Sequence, residues 1–142
     1  MAIDWKTGAL AVGAVAIWGV FFALTHDDRP AEAKKLVAAS LRDPASAQFR
    51  DVKKSDQAVC GEVDGKNAFG AYVGFRHFIV EGGSADLEPE TPREPLQPGV
   101  SMGVIEQWNA TTAFRANWTS KCPSPLPELP AGLDPIIPGI TP

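Results

Sequence analysis

The sequence is poor in residues that carry out catalysis or hold metal ions. It has two cysteines, Cys60 and Cys122, and two histidines, His26 and His77, and their separations match no zinc-binding pattern. It contains no glycine-rich phosphate-binding loop. A formal net charge of −4 argues against nucleic-acid binding, which needs a basic surface. We therefore predict a non-catalytic protein with no cofactor, no metal ion and no nucleic-acid partner.

One arrangement of titratable residues keeps an enzyme in consideration. Glu62 could form an acid–base pair with His77 or with Asp64 across a predicted hairpin. His77 lies on an apolar strand face, where a structural histidine is more common than a catalytic one, and no nucleophile or oxyanion-binding group accompanies the pair. An enzyme of unknown type is therefore the last of the functional alternatives.

The clearest feature that is present is an apolar run over residues 8–24, which carries no charge. At about 1.5 Å per residue the run spans roughly 25 Å, close to the hydrocarbon thickness of a bilayer. We predict a transmembrane helix over residues 7–25, preceded by a short tail, residues 1–6, with Trp5 at the interface. A cleaved signal peptide is the alternative, but the run is long for one, and the small-x-small pattern at residues 31–33 comes late.

The charges around this span give conflicting indications of sidedness. Lys6 precedes the span and several basic residues follow it, which by the positive-inside rule places the domain in the cytoplasm. Asp27 and Asp28, however, come first after the span. Cys60 and Cys122 form an even, well-separated pair that suits one disulfide in an oxidising compartment. We therefore predict that the domain lies outside the cytoplasm.

That disulfide is predicted to join the hairpin to the last helix. It would close a loop of about 60 residues and stabilise the fold by roughly 3–4 kcal/mol in the chain-entropy model. A nucleophilic or metal-binding thiol is the alternative reading of the two cysteines.

Residues 26–122 are predicted to form one small α+β domain, an antiparallel sheet packed with two helices. An apolar face at helical spacing indicates a helix over residues 30–41. Alternating residues on either side of the turn chemistry at residues 64–67 predict a hairpin. The predicted strands are residues 49–53, 58–63, 70–80 and a further one near 100–104, and the second helix runs from about residue 109 to residue 122.

The long strand of this hairpin separates two sets of side chains. Its predicted core face carries Ala71, Val73, Phe75, His77 and Ile79. Polar residues near the turn form a candidate patch for a small ligand or a cell-wall component, although we prefer to explain them by turn chemistry and a solvated strand face. The patch consists of Lys66, Asn67, Tyr72 and Arg76.

Two proline-rich segments complete the chain. Residues 81–99 contain four prolines and five acidic residues and no aromatic residue, which predicts a loop that is functional or disordered. Residues 123–142 are predicted to be a polyproline-like tail that docks as a strap on a neighbouring subunit. Small residues along one side of the predicted anchor indicate helix–helix contact in lipid. The residues assigned to partner contact are Ala9, Gly13, Ala16, Leu126, Leu129, Leu133, Ile136, Ile137 and Ile140.

The middle of the chain resembles an uncharacterised family of small bacterial cell-envelope domains with a CGEV-x-x-KN-x-x-G-x-Y-x-GF-type motif, which follow signal peptides or lipid anchors. The resemblance implies a bacterial envelope location, here the inner membrane with the domain in the periplasm. The acidic loop, the span and the proline-rich tail are additions to that pattern. The matching residues are Asp43, Pro44, Ser46, Ala47, Phe49, Arg50, residues 60–63, Lys66, Asn67, Gly70, Tyr72, Gly74, Phe75, Phe78, Trp118 and Cys122.

These features together predict a single-pass, non-catalytic accessory or assembly subunit of a larger membrane complex. Its neighbours would be other membrane-protein subunits and the lipid bilayer. The first alternative is a periplasmic module that binds a small ligand or the cell wall.

Overall fold

The computed structural model describes residues 27–130. The predicted anchor over residues 7–25, with its contact residues Ala9, Gly13 and Ala16, lies outside the described residues. The same holds for four residues of the predicted strap: Leu133, Ile136, Ile137 and Ile140. Within residues 27–130, no helix is both long and apolar enough to cross a bilayer.

The described chain folds into a four-stranded antiparallel sheet with two helices, which confirms the predicted α+β class. The strand order β1-β2-β3-β4 follows the chain, so each strand pairs with its neighbours in sequence. The elements are helix α1 (Arg29–Ser40), a 3-10 turn (Pro44–Ser46), strands β1 (Gln48–Lys54), β2 (Val59–Asp64), β3 (Arg76–Glu81) and β4 (Ser84–Leu87), and helix α2 (Met102–Lys121).

Both faces of the sheet are buried, which corrects the prediction of a single core face. On one face, Val59, Val63 and Phe78 pack against Ala33 and Val37 of α1. On the opposite face, the core residues come from the sheet and from α2, and they are Ala58, Cys60, Ile79, Phe114 and Trp118. Because successive strand residues point to opposite faces, β2 and β3 contribute apolar side chains to both layers.

The second helix begins earlier than the sequence indicates. Residues 100–104 alternate and suggest a strand, but the backbone carbonyl of Ser101 accepts hydrogen bonds from Val104 and Ile105 and opens α2 at Met102. The buried side chains of α2 are Trp108, Thr111, Phe114 and Trp118. Their helical spacing continues over many residues, whereas three alternating residues cannot distinguish a strand from one turn of helix.

The hairpin loop is longer than predicted, and strand β3 begins at Arg76 rather than at residue 70. Gly70 and Gly74 adopt φ values of 78° and 102°, in a region that an extended strand does not use. Lys66 and Tyr72 still form an isolated antiparallel bridge. Residues 65–75 are therefore an ordered loop, called here the distal loop.

The acidic loop also contains structure that was not predicted. Gly82 and Gly83, with φ values of 55° and 81°, form a tight turn between β3 and β4. Farther along, Pro92 is buried and the carbonyl of Glu94 accepts a 2.8 Å hydrogen bond from the indole nitrogen of Trp108. The segment predicted as a functional or disordered loop over residues 81–99 thus supplies a strand and contacts α2.

Candidate interaction site

The predicted disulfide between Cys60 and Cys122 is present, with an S–S distance of 2.01 Å. Cys122 is the residue at which α2 ends, and its backbone N–H donates to the carbonyl of Trp118. The bond joins β2 to the last helix, as predicted, and leaves neither cysteine as a free thiol. A thiol-based reaction or thiolate metal site would require this bond to be broken.

The candidate acid–base pair is brought together, with a second carboxylate added. Glu62 and His77 are register partners in β2 and β3, and Glu62 Oε1 lies 3.5 Å from His77 Nε2. Glu88 Oε2 lies 2.6 Å from His77 Nδ1 and also accepts a hydrogen bond from the backbone N–H of His77. The Trp118 ring packs edge-on against the imidazole, with the two ring centres 4.9 Å apart. Asp64, the other predicted partner, does not join this cluster.

This cluster is engaged in contacts within the fold. Both imidazole nitrogens face carboxylates, the indole covers the ring, and Glu62 is also held by Arg50. A cleft of about 240 Å³ adjoins Glu62 and His77, and residues 123–125 of the tail form part of its wall. Among the described residues, no group of three ligating side chains is arranged to hold a metal ion. The arrangement supports a structural role for His77.

The four residues of the predicted ligand patch all belong to or adjoin the distal loop. Lys66 places its ammonium 5.4 Å from the centre of the Tyr72 ring. Asn67 Oδ1 accepts hydrogen bonds from the backbone N–H groups of Phe69 and Ala71, so its side chain is used in shaping the turn. Lys66, Asn67 and Arg76 line a common cavity, and Tyr72 does not.

The main feature of this site that sequence reasoning missed is exposed apolar surface. Phe69 is 94 % exposed, Val73 61 % and Tyr72 44 %, and all three lie in the distal loop. Val73 was predicted to face the core. A strand pattern assigns residues to faces, but once Gly70 and Gly74 turn the chain out of the sheet, the alternation no longer places Val73 inside.

A cavity of about 390 Å³ lies between the distal loop and the end of α1. Its apolar wall includes Leu41, Val63 and Val73, and its basic residues are Arg42, Lys66 and Arg76. None of the described residues that line it is acidic. The cavity is therefore a basic, partly apolar surface on a chain whose formal net charge is −4.

The distal loop and the beginning of the described chain lie at opposite ends of the sheet. Arg29 Nη1 donates to the carbonyls of Ser55 and Asp56 in the β1–β2 turn, at 3.3 and 3.4 Å. Strand β2 and helix α1 both run away from that turn, and the distal loop follows the far end of β2. The twelve residues of α1 separate the two ends by about 18 Å.

Asp27 holds the first described residues against the same turn. Its carboxylate accepts hydrogen bonds from Arg29 and, at 2.7 Å, from Lys54 Nζ. These bonds, the one from Arg29 foremost, hold the pKa of the Asp27 carboxyl well below its usual range. The hydrogen bond to Asp27 and the negative charge of its carboxylate in turn raise the pKa of the Arg29 guanidinium. The chain that follows the predicted anchor is thus fixed to the sheet.

The first part of the proline-rich tail lies on its own domain. The indole nitrogen of Trp118 donates to the carbonyl of Ser124, and Arg115 Nη2 donates to the carbonyl of Pro127 at 2.8 Å. Leu126 packs against the core cluster that contains the disulfide, and Leu129 lies beside α2. Of these two predicted strap residues, Leu126 therefore contacts this chain's own core, and Leu129 lines a cavity with α2.

Comparison with known proteins gives no match: no family model, no curated protein and no solved structure matches this chain.

Proposed function

We propose that this protein is a non-catalytic, single-pass accessory subunit of a membrane complex and that its domain docks on a neighbouring protein through the distal loop. The observation that carries the proposal is the exposure of Phe69, Val73 and Tyr72 on one ordered loop. Apolar side chains that cluster on a surface mark a contact site more often than scattered ones do. Aromatic residues are also over-represented at the centres of protein interfaces.

The order of the loop supports this assignment. Lys66 donates its backbone N–H to Ser46 Oγ, and Asn67 fixes the backbone at Phe69 and Ala71. A loop that is already shaped loses less conformational entropy when it binds. Phe69 is therefore held outward by a defined backbone.

The proposed location of the domain is outside the cytoplasm. The apolar run over residues 8–24 would anchor the domain, and the disulfide suits an oxidising compartment such as the periplasm. The resemblance of residues 60–63 and their surroundings to bacterial envelope domains supports the same assignment. In this arrangement the predicted anchor face of Ala9, Gly13 and Ala16 would contact a second subunit within the membrane.

The test is recovery of a complex from native membranes in mild detergent. The full chain should co-purify with a stoichiometric partner, and the double variant Phe69→Ser with Val73→Ser should lose that partner. Met102→Ser is the matched control, because Met102 is an exposed apolar residue (68 %) at the start of α2 that belongs neither to the loop nor to the lining of the cavity beside it. Equal melting temperatures and an intact disulfide would show that the variants fold. A chain that purifies alone would refute the proposal.

A further inference from the structure

The cavity beside the distal loop has a charge pattern that restricts what can bind there. Arg42, Lys66 and Arg76 line it, and among the described lining residues there is no carboxylate. Arg42 is exposed at the end of α1, and Arg76 is the first residue of β3. Three cations in one concave surface favour a binding group that carries negative charge.

The apolar part of the same surface indicates how large that binding group is. Leu41, Val63, Phe69 and Val73 are the large apolar residues that line the cavity, and Tyr72 extends the apolar surface beyond it on the distal loop. A small anion would contact the basic side chains and leave most of this apolar surface in water. A peptide segment that carries both aliphatic and acidic side chains would cover them.

The position of the surface favours a protein over the lipid that holds the predicted anchor. The chain that follows the anchor is bound to the β1–β2 turn through Asp27 and Arg29, and the distal loop is at the other end of α1. About 18 Å of helix separates the two ends. The surface is thus placed to meet the extramembrane part of a neighbouring subunit.

We propose that the basic cavity and the distal loop bind an acidic segment of a partner protein, with an aliphatic side chain of that segment in the cavity and its carboxylates against Arg42, Lys66 and Arg76. This inference rests on the proposed function, because it names the chemistry of the partner that the loop would contact. It is narrower, since a partner could dock on Phe69 without any carboxylate.

Charge reversal in native membranes separates the two proposals. Arg42→Glu is the cleanest variant, because Arg42 is exposed at the rim of the cavity. Arg76→Glu provides an independent second variant. Lys35→Glu is the matched control, because Lys35 is exposed on α1 and does not line the cavity. We expect each cavity variant to lower recovery of the complex about tenfold, and more at low salt, with Lys35→Glu at the wild-type level.

Photo-crosslinking identifies the occupant. Phe69 is replaced by p-benzoylphenylalanine, and the crosslinked peptide is mapped by mass spectrometry in native membranes. We expect a segment of another protein with several Asp or Glu residues around an aliphatic residue. A neutral or basic segment, a lipid adduct or a crosslink to residues 131–142 of this chain would overturn the inference.

The failures of the two proposals can be distinguished. If Phe69→Ser with Val73→Ser loses the partner while Arg42→Glu and Arg76→Glu keep it, the acidic partner is wrong and the docking loop stands. If no complex is recovered under any condition, both proposals fail.

Discussion

The carboxylate of Asp64 accepts a 3.1 Å hydrogen bond from the backbone N–H of Gly74, ten residues further along the chain. Asp64 is buried at the end of β2, so this hydrogen bond joins the distal loop to the sheet. The loop that exposes Phe69 is therefore shaped by a buried acceptor in the sheet.

Replacing Asp64 tests this relationship. We expect Asp64→Ala to lower the free energy of unfolding by about 1–3 kcal/mol, because the N–H of Gly74 loses its acceptor in a partly buried place. Asp64→Asn keeps an oxygen at the same position and should cost less. Urea denaturation of both variants measures the difference, and equal stabilities would show that the bond does not hold the loop.

Gly61 is expected to tolerate no side chain. A Cβ at this position would lie 2.9 Å from the ring of Phe78 and 3.0 Å from the Cα of Val52, which is backbone. Gly61→Ala should therefore destabilise the fold by about 1–3 kcal/mol. Gly103→Ala is the control, since a Cβ there meets nothing closer than 3.9 Å and alanine favours the helix. Thermal melting should separate the two variants in opposite directions.

Glu88 is expected to stabilise the fold through His77. Its Oε2 contacts both the backbone N–H and Nδ1 of His77, so Glu88→Ala removes two interactions at once. We expect a loss of about 1–3 kcal/mol in the free energy of unfolding. Glu90→Ala, an exposed acid two residues away, should change it little. Similar urea midpoints for the two variants would contradict this role.

Asp27 should make stability depend on pH and salt. Its pKa is lower in the folded chain than its usual value near 3.8, so its contribution is present above that value and is lost as the pH falls through the folded pKa. Wild type should exceed Asp27→Asn in melting temperature at neutral pH and should approach it in strong acid. Because Asp27 is exposed, high salt should also reduce the difference. A difference that is constant with pH would contradict the assignment.

The parts of the fold that were predicted correctly are those with a local sequence signal. Pro30 and the buried pair Ala33 and Val37 mark the first helix, and the turn chemistry after Asp64 marks the hairpin. The Gly82–Gly83 turn also has such a signal, a two-glycine hairpin turn, but the proline-rich, acidic composition of residues 81–99 obscured it.

The candidate site was only partly predictable for a different reason. Lys66 and Arg76 were identified by their charge, but Phe69 was not, because its exposure depends on where the chain leaves the sheet. That point is set by the backbone at Gly70 and Gly74 and by the distant acceptor Asp64. Glu88 was likewise missed, since its contact with His77 requires β4 to pair with β3.

The disulfide between Cys60 and Cys122 also constrains the order in which the parts of the fold can be completed during synthesis. Strands β1 to β4 pair in chain order, so α1 and the sheet can assemble as soon as Leu87 has been made. The sheet face that holds Ile79 can be covered only once α2 follows, and Cys60 can be paired only once Cys122 has been made. The second half of the core and the covalent link are therefore completed together, by the last helix of the domain.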